Sequence, residues 1–399
     1  MSAKVGQFDV IVLGAGAAGL MCAAAAGQRG RRVALLEHNG QVGRKILISG
    51  GGRCNFTNLH CGPDNFLSEN PHFAKSALAL YGPEHFIELV DRYGIAWHEK
   101  TLGQLFCDHS AGSIVEMLLA ECARASESGG SVEIVLNAHD IQVARTGGFR
   151  VSCSVGEFAA ETLVVATGGL SIPKMGASGF AYDLARQFGL AVIPARPALV
   201  PLLLGGDEAG WTQLAGVAAD VTASAGGAKF REKMLVTHRG LSGPAVLQAS
   251  SYWRPGEKLI LDLAPGLAAG AEILGALKQP RARRDLAALK QVLQETLPHR
   301  LANYLAEAGD PKGWSNAALE DCERRLRRWE LHPVGTEGFE KAEVTAGGID
   351  TAGLQARTME ARKVPGLFFV GEAVDVTGWL GGFNFQWAWA SGVAAGRSV

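Results

Sequence analysis

The hydrophobic pattern begins with Val10–Leu13, an unbroken apolar run that meets Gly14-Ala-Gly16-Ala-Ala-Gly19 and then an alanine-rich stretch closed by Gly30. A short apolar run bounded by glycine reads as a strand buried on both faces, and the alanine-rich stretch reads as a helix. Residues 31–37 then supply a second apolar strand that ends in Glu37. Farther on, Phe73, Ala77 and Leu78, then Phe86, Leu89 and Val90, fall at helical spacing, as do residues 114–125. Residues 94–99 and 105–107 read as short strands, and residues 132–136, 141–144 and 149–155 as a small antiparallel layer. An apolar strand at 162–166 follows, ending in Thr167-Gly168-Gly169, and then a helix at 181–188.

Three prolines between 194 and 201 favour extended chain and mark a domain boundary. Beyond it, residues 215–223, 233–237 and 258–263 alternate as strands of a small barrel or sandwich, with Ser242 placed to cap a following helix. Residues 268–329 turn helical and charged. Strands at Val344–Ile349 and 366–372 and a helix at 385–397 then return to the first domain. The predicted organisation is α/β: a discontinuous Rossmann-like dinucleotide-binding domain (1–192 and 340–399), an inserted β-barrel-like substrate domain (193–266) and a helical cap (267–339). A chain of 399 residues exceeds what one core usually serves.

The strand-loop-helix at the start carries chemistry as well as shape. Gly14 allows a tight turn, Gly16 lets a pyrophosphate approach the backbone, and Gly19 lets the helix pack closely on the sheet. Ala15, Ala17 and Ala18 offer the amides of a helix N-terminus, whose dipole favours an anion. Glu37 stands at the spacing of a carboxylate that accepts from a ribose hydroxyl. The competing reading is a tight turn that binds nothing. A second dense stretch contains Arg44, Lys45, Ser49, Gly50, Gly51, Gly52, Arg53, Cys54, Asn55 and Asn58, a loop suited to surround a polar, partly anionic ligand.

Composition removes several classes. A net charge of -1 gives no global attraction to nucleic acid or anionic membrane. The seven cysteines are scattered without C-x-x-C spacing, so neither a disulfide framework nor a zinc site is expected, and a cytoplasmic location is. His98 and His109 lack partners at metal-ligand spacing. The arginines at 281, 283, 284, 324, 325, 327 and 328 could be an RNA footprint, but without interleaved aromatics they read as solvated helix faces. The partner expected is a small molecule, with no membrane and with nucleic acid disfavoured.

The glycine motif, the Gly-Arg-Lys…Ser-Gly-Gly-Gly-Arg-Cys-Asn-x-Thr-Asn stretch, Ala166-Thr-Gly-Gly169, Val236-Thr-His-Arg-Gly-Leu-Ser-Gly-Pro-Ala245 and Gly371-Glu-Ala-Val-Asp375…Gly381-Gly-Phe-Asn-Phe-Gln386 together resemble the HI0933-like, or BaiN-like, flavoproteins. The resemblance implies FAD-dependent oxidoreductase chemistry with hydride transfer at flavin N5. It implies cofactor contacts from the glycine loop and Glu37, from the 44–55 stretch, and from Thr167, Gly168, Gly371, Glu372, Asp375, Gly382, Phe383, Asn384 and Gln386. Phe180-Ala181 and Phe383 depart from the family's usual residues, the last losing a hydroxyl. No second G-x-G-x-x-G follows a strand, so NAD(P)H, if it reduces the flavin, has no domain of its own. A reductase of an unsaturated carbonyl and an oxygen-dependent amine or aminoketone oxidase of the aminoacetone oxidase type both remain open, as does a flavin-containing RNA-modifying or RNA-binding factor. His238 and Cys54, with Trp379, are candidates for a catalytic role by motif position.

Overall fold

The computed structural model describes residues 5–268, 270–309 and 311–399. The chain forms two compact units, one from the chain up to Arg196 together with Val344–Val399, the other from Pro197–Glu343.

The first unit is built on a five-stranded parallel sheet in the order Leu367–Phe369, Thr162–Val165, Val10–Leu13, Arg32–Leu36, Ser131–Val135. Its central strands are apolar throughout because helices cover both faces, and Val10 to Leu13 are at most 1% exposed. Residues 132–136 were expected in an antiparallel layer; instead Ser131–Val135 pairs parallel with Arg32–Leu36 as the sheet's outer strand. The helix Gly112–Ala123 precedes it, and a parallel strand requires such a crossover. The antiparallel layer consists of Gln142–Arg145, Phe149–Cys153 and Gly156–Ala160, with Gly6–Gln7 added parallel at its edge.

The first helix, Ala17–Gly27, packs along the last, Phe383–Gly396. A Cβ at Gly392 would lie 2.5 Å from the Ala18 carbonyl oxygen, and one at Gly396 2.6 Å from that of Cys22. Two glycines one turn apart therefore let the helix backbones nearly touch, at a propensity cost of about 1 kcal/mol each. A three-stranded sheet of Asn55–Asn58, Gln104–Cys107 and Trp97–Glu99 lies in the same unit, and Trp389 Nε1 donates to Phe56 O at 2.8 Å.

The second unit holds a seven-stranded sheet, antiparallel throughout, in the order Trp329–Leu331, Leu259–Asp262, Ala218–Ala225, Ala228–Val236, Gly240–Ser242, Leu202–Leu203, Gly335–Thr336. Its two outermost strands are consecutive in the chain, separated only by His332, Pro333 and Val334, which curls the sheet toward an open barrel. Both come from the stretch expected to be a helical cap, so the proposed division into 193–266 and 267–339 does not follow the strand pairing. The helices Leu286–Gln294, His299–Ala308 and Asn316–Arg327 belong to the same unit as the sheet. Ser242 does not cap: it pairs with Leu235 in a strand, and Gly243, at φ +86°, precedes Pro244 at the helix start.

Candidate cofactor and active site

The polar motifs of the first unit gather at the carboxyl ends of its parallel strands, where ligands bind in open α/β sheets. Gly14 follows Leu13, Glu37 follows Leu36, Thr167 lies just past Val165 and Gly371 just past Phe369. The Gly14 amide donates to Leu36 O at 2.7 Å, the Ala15 amide to Glu37 Oε2 at 2.8 Å, and the Gly43 amide to Ala15 O at 2.9 Å. Neighbouring segments thus fix the glycine loop from both sides.

The three glycines of that loop differ in what they make possible. Gly14 has φ +99°, and a Cβ there would lie 2.7 Å from Ala166 O; at Gly19 a Cβ would lie 1.8 Å from Gly14 O. Both positions are closed by the protein itself. Gly16 is open: a Cβ there would meet nothing within 4 Å. It caps a helix that starts at Ala17, with Ala18 next, and that has neither a side-chain cap nor an acid in its first turn. The first-turn amides therefore lack intrahelical partners and suit an anion.

Glu37 is 6% exposed, and its other oxygen accepts from the Asn39 amide and side chain, both at 2.9 Å, with His38 Nδ1 at 3.1 Å. Burial alone would raise its pKa. The hydrogen bonds from His38, Asn39 and Ala15 outweigh that and hold the carboxyl below its ordinary range, while Glu37 raises the His38 pKa in return.

Arg44–Ile48 is a short helix on which Arg44 donates to Asn39 Oδ1 and, at 3.3 Å, to Met175 O. Lys45 Nζ reaches Glu372 Oε2 at 2.6 Å and Ser171 Oγ at 2.7 Å. Ser49 closes this helix by donating to Ile46 O at 2.7 Å. Gly50, Gly51 and Gly52 follow at φ +57°, +68° and +85°; Gly50 is packed against the Phe106 ring, whereas Gly51 has open space where a Cβ would stand. Arg53 is exposed, and among the described residues its guanidinium makes no hydrogen bond or ion pair. Asn55, with its amide oriented to satisfy its neighbours, donates to Leu105 O and Thr57 O and accepts from the Gly382 amide at 3.3 Å.

Thr167 lies against the glycine loop, its Cα 3.1 Å from where a Cβ on Gly14 would be. Its Oγ1 is buried without a partner, and Gly168, at φ +77°, again has nothing within 4 Å of a Cβ. The unpartnered hydroxyl, the open positions at Gly16, Gly51 and Gly168, the uncapped helix and the free Arg53 fit a long, anionic, polar group such as a dinucleotide.

Several expected side-chain contacts are used by the protein instead. The Gly371 amide donates to Ser391 Oγ and its carbonyl accepts from Trp387 Nε1, both at 3.0 Å. Glu372, expected on the ribityl chain, accepts from Lys45, from Ser171 Oγ at 2.6 Å and from the Thr345 amide at 3.0 Å. Asp375 is 4% exposed and accepts from the Glu69 amide at 2.9 Å; burial raises its pKa. Gln386 accepts from Thr57 Oγ1 at 2.7 Å and donates to Tyr81 O at 2.8 Å, a wholly internal bridge. Asn384 braces the preceding turn through Gly378 and Trp379, and Gly382 is required because a Cβ would lie 2.4 Å from Thr57 O. Phe383 is buried against Trp379.

Of the catalytic candidates, Cys54 is fully buried at φ +49°, and burial pushes its thiol far above the ordinary range, which removes thiolate character. His238 sits in an exposed turn of the second unit. Ser171 and Thr345, which anchor Glu372 and its neighbours, carried no signal in the sequence beyond Ser171 standing two residues after Gly169.

Six of the seven arginines at 281–284 and 324–328, all but the exposed Arg281, are engaged within the protein. Arg284 donates to Leu277 O and Trp314 O, Arg325 to Gly309 O and Arg327 to Ala264 O, while Arg283, Arg324 and Arg328 pair with Asp285, Asp321 and Glu330. Among the described residues no cluster of His, Cys, Asp and Glu could hold a metal ion, and no helix is long and apolar enough to cross a membrane.

Residues 8–398 match the family of the HI0933-like protein Rossmann domain. The chain is similar to the ribosomal RNA dihydrouridine synthases of Escherichia coli (strain K12), at 50% identity over 401 residues, and of Haemophilus influenzae (strain ATCC 51907 / DSM 11121 / KW20 / Rd), at 44% over 400, each alignment covering 98% of both chains. It is also similar to the 3-dehydro-bile acid delta(4,6)-reductase of Clostridium scindens (strain ATCC 35704 / DSM 5676 / VPI 13733 / 19), at 31% identity over 97% of this chain and 98% of that one.

Proposed function

Because the chain belongs to the HI0933-like family of FAD-binding oxidoreductases, we propose that it reduces a carbon–carbon double bond conjugated to a carbonyl, with uracil in ribosomal RNA as the substrate class. The observation that carries the flavin part is the open cradle at the strand ends, with its unpartnered Thr167 hydroxyl beside the glycine loop. The reaction class follows from what the three relatives' activities have in common, and uracil from the two dihydrouridine synthases. Making dihydrouridine and reducing a delta(4,6) bile acid are both additions of a hydride and a proton across a double bond.

When bound, FAD supplies the hydride. The chain's own residues hold and orient it. The first-turn amides of the helix that starts at Ala17 would take the pyrophosphate, with Gly16 leaving room for it, and Glu37 would accept from the adenosine ribose. Strand order supports an assignment of the other half of the dinucleotide. Glu37 ends the strand on one side of Val10–Leu13, whereas Thr167 and Ser171 follow Thr162–Val165 on the other. Thr167, Gly168, Lys45 and the 49–53 loop would then hold the flavin half, with Lys45 a fixed positive charge held by Glu372 and Ser171. The overall change balances with a reduced nicotinamide as donor: it loses a hydride, solvent supplies a proton, and C5 and C6 of uracil gain both.

The purified yellow protein should bleach anaerobically with NADPH, and uridine-containing RNA should recover the colour while gaining the mass of two hydrogens. A colourless protein overturns the flavin assignment. Bleaching by amines but not by NADPH, with peroxide formed on readmitting oxygen, makes the protein an oxidase instead.

A further inference from the structure

We infer that the outer face of the strand Ala228–Val236 in the second unit is a docking surface for the phosphate backbone of single-stranded RNA. The inference rests on the RNA reading above. This strand alternates strictly: Phe230, Met234 and Val236 are buried, while Lys229, Arg231, Lys233 and Leu235 are exposed on the opposite face. Glu232, on the inner side, accepts from Gln248 at 2.7 Å. Among the described residues none of the three cations makes a hydrogen bond or ion pair.

Side chains two apart on a strand stand about 7 Å apart in a straight row, the scale on which an extended polynucleotide repeats its phosphates. Directly across on Ala218–Ala225 lie Ser224 opposite Lys229, Thr222 opposite Arg231 and Asp220 opposite Lys233. Two hydroxyls thus flank the row as neutral hydrogen-bond partners, and one acid offsets a single cation at its end. Leu235, 38% exposed, continues the row with an apolar surface toward the turn containing His238, which is also exposed. Helix Pro244–Ser250 packs against this strand, and the buried residues that alternate with the row leave the cations on the face away from the core.

Charge selects the partner. The whole chain carries a net charge of -1, so a polyanion gains nothing from the protein's overall field and must be held locally. The arginines at 281–284 and 324–328 offer less of that hold, because six of the seven guanidinium groups, all but that of Arg281, are engaged with carbonyls and acids. The strand row has uncommitted cations with flexible stems and a register that suits an extended chain better than a compact anion. A face without aromatic residues contacts the backbone rather than stacking bases, so it supplies affinity and leaves base choice to the reaction site.

The test compares the flavin-loaded wild type with the triple variant Lys229→Thr, Arg231→Thr and Lys233→Thr, in which threonine keeps the strand preference. A control triple, Arg281→Gln, Lys312→Gln and Lys341→Gln, removes the same charge elsewhere in the unit. Binding of fluorescein-labelled oligouridylate is measured against salt. The strand variant should lose roughly 10- to 100-fold in affinity, and about 2 in the slope of log K against log salt, since each lost single-strand phosphate contact removes about 0.7. Its flavin content and bleaching by NADPH should not change, and the control triple should bind as wild type does. Equal binding by wild type and strand variant, or an equal loss in the control, overturns the docking face and leaves the RNA reading standing. Failure of the wild type to bind at low salt overturns both.

Discussion

Removing Lys45 should have a larger effect than removing its partner, and the reason is burial. The Glu372 side chain is 19% exposed and that of Lys45 36%. Burial pushes the Glu372 pKa up, but the Lys45 ammonium, the Ser171 hydroxyl and the Thr345 amide more than reverse this and hold it below the ordinary carboxylate range. In Lys45→Met the carboxylate keeps Ser171 and Thr345 but loses its cation. A fully buried pair broken in this way costs 3–5 kcal/mol and an exposed one 0–1, so this half-buried pair should cost about 2 kcal/mol near neutral pH. In Glu372→Gln the stranded group is the more exposed ammonium, and the cost should be roughly 1 kcal/mol.

The pH dependence follows from the signs. In the wild type the folded pKa of Glu372 lies below its unfolded value, so its contribution to stability is present above the unfolded pKa and is lost as pH falls through the folded one. In Lys45→Met burial dominates and the folded pKa rises, so protonation at lower pH relieves the buried charge. The gap between the two proteins should therefore be widest at neutral to alkaline pH and shrink as pH falls through the carboxylate range. Thermal melts across that range should show a deficit of roughly 5 °C at the alkaline end, narrowing on acidification. Equal melting of wild type and Lys45→Met at alkaline pH, a gap independent of pH, or a greater loss in Glu372→Gln would refute the burial argument.

Gly16→Ala should fold as stably as wild type, since its Cβ meets nothing and φ is -84°, yet purify with much less flavin because the methyl occupies the phosphate space. Gly19→Ala, whose Cβ would lie 1.8 Å from Gly14 O, should lose both stability and flavin, and melting with absorbance separates the two cases. Gln386→Leu breaks the Thr57–Tyr81 bridge in a fully buried site and should cost about 1–3 kcal/mol in urea unfolding while refolded protein keeps its flavin stoichiometry. Cys54 should resist iodoacetamide in the folded protein, and Cys54→Ala should turn over within about threefold of wild type, because a buried thiol whose pKa burial has raised is neither exposed nor ionised.

The dinucleotide fold was legible because its signals are local. An apolar run, three glycines at fixed offsets and an acid at the next strand's end each constrain backbone geometry within a few residues. The gathering of the motifs was equally accessible, since Gly14, Glu37, Thr167 and Gly371 all lie at or just beyond strand ends. Side-chain roles were less so. Glu372 and Gln386 look like ligand contacts by motif, but their partners come from residues as distant as Lys45, Thr57 and Tyr81, and only tertiary packing brings these together. The strand Ser131–Val135 was assigned to the wrong sheet for a related reason: a short half-buried run fits either sheet, and the crossover through Gly112–Ala123 decides. Charge was legible only in part. A cluster of arginines is visible in sequence, but whether each guanidinium is spent on a carbonyl or left free depends on the fold, and a row of uncommitted cations lies instead at Lys229, Arg231 and Lys233, whose alternation along a single strand is their trace in the sequence. The sequence by itself determined the cofactor-binding frame, because backbone conformation is set by neighbours. The tertiary structure decided which polar groups remain available to a ligand, because hydrogen bonds and burial join residues that are hundreds of positions apart.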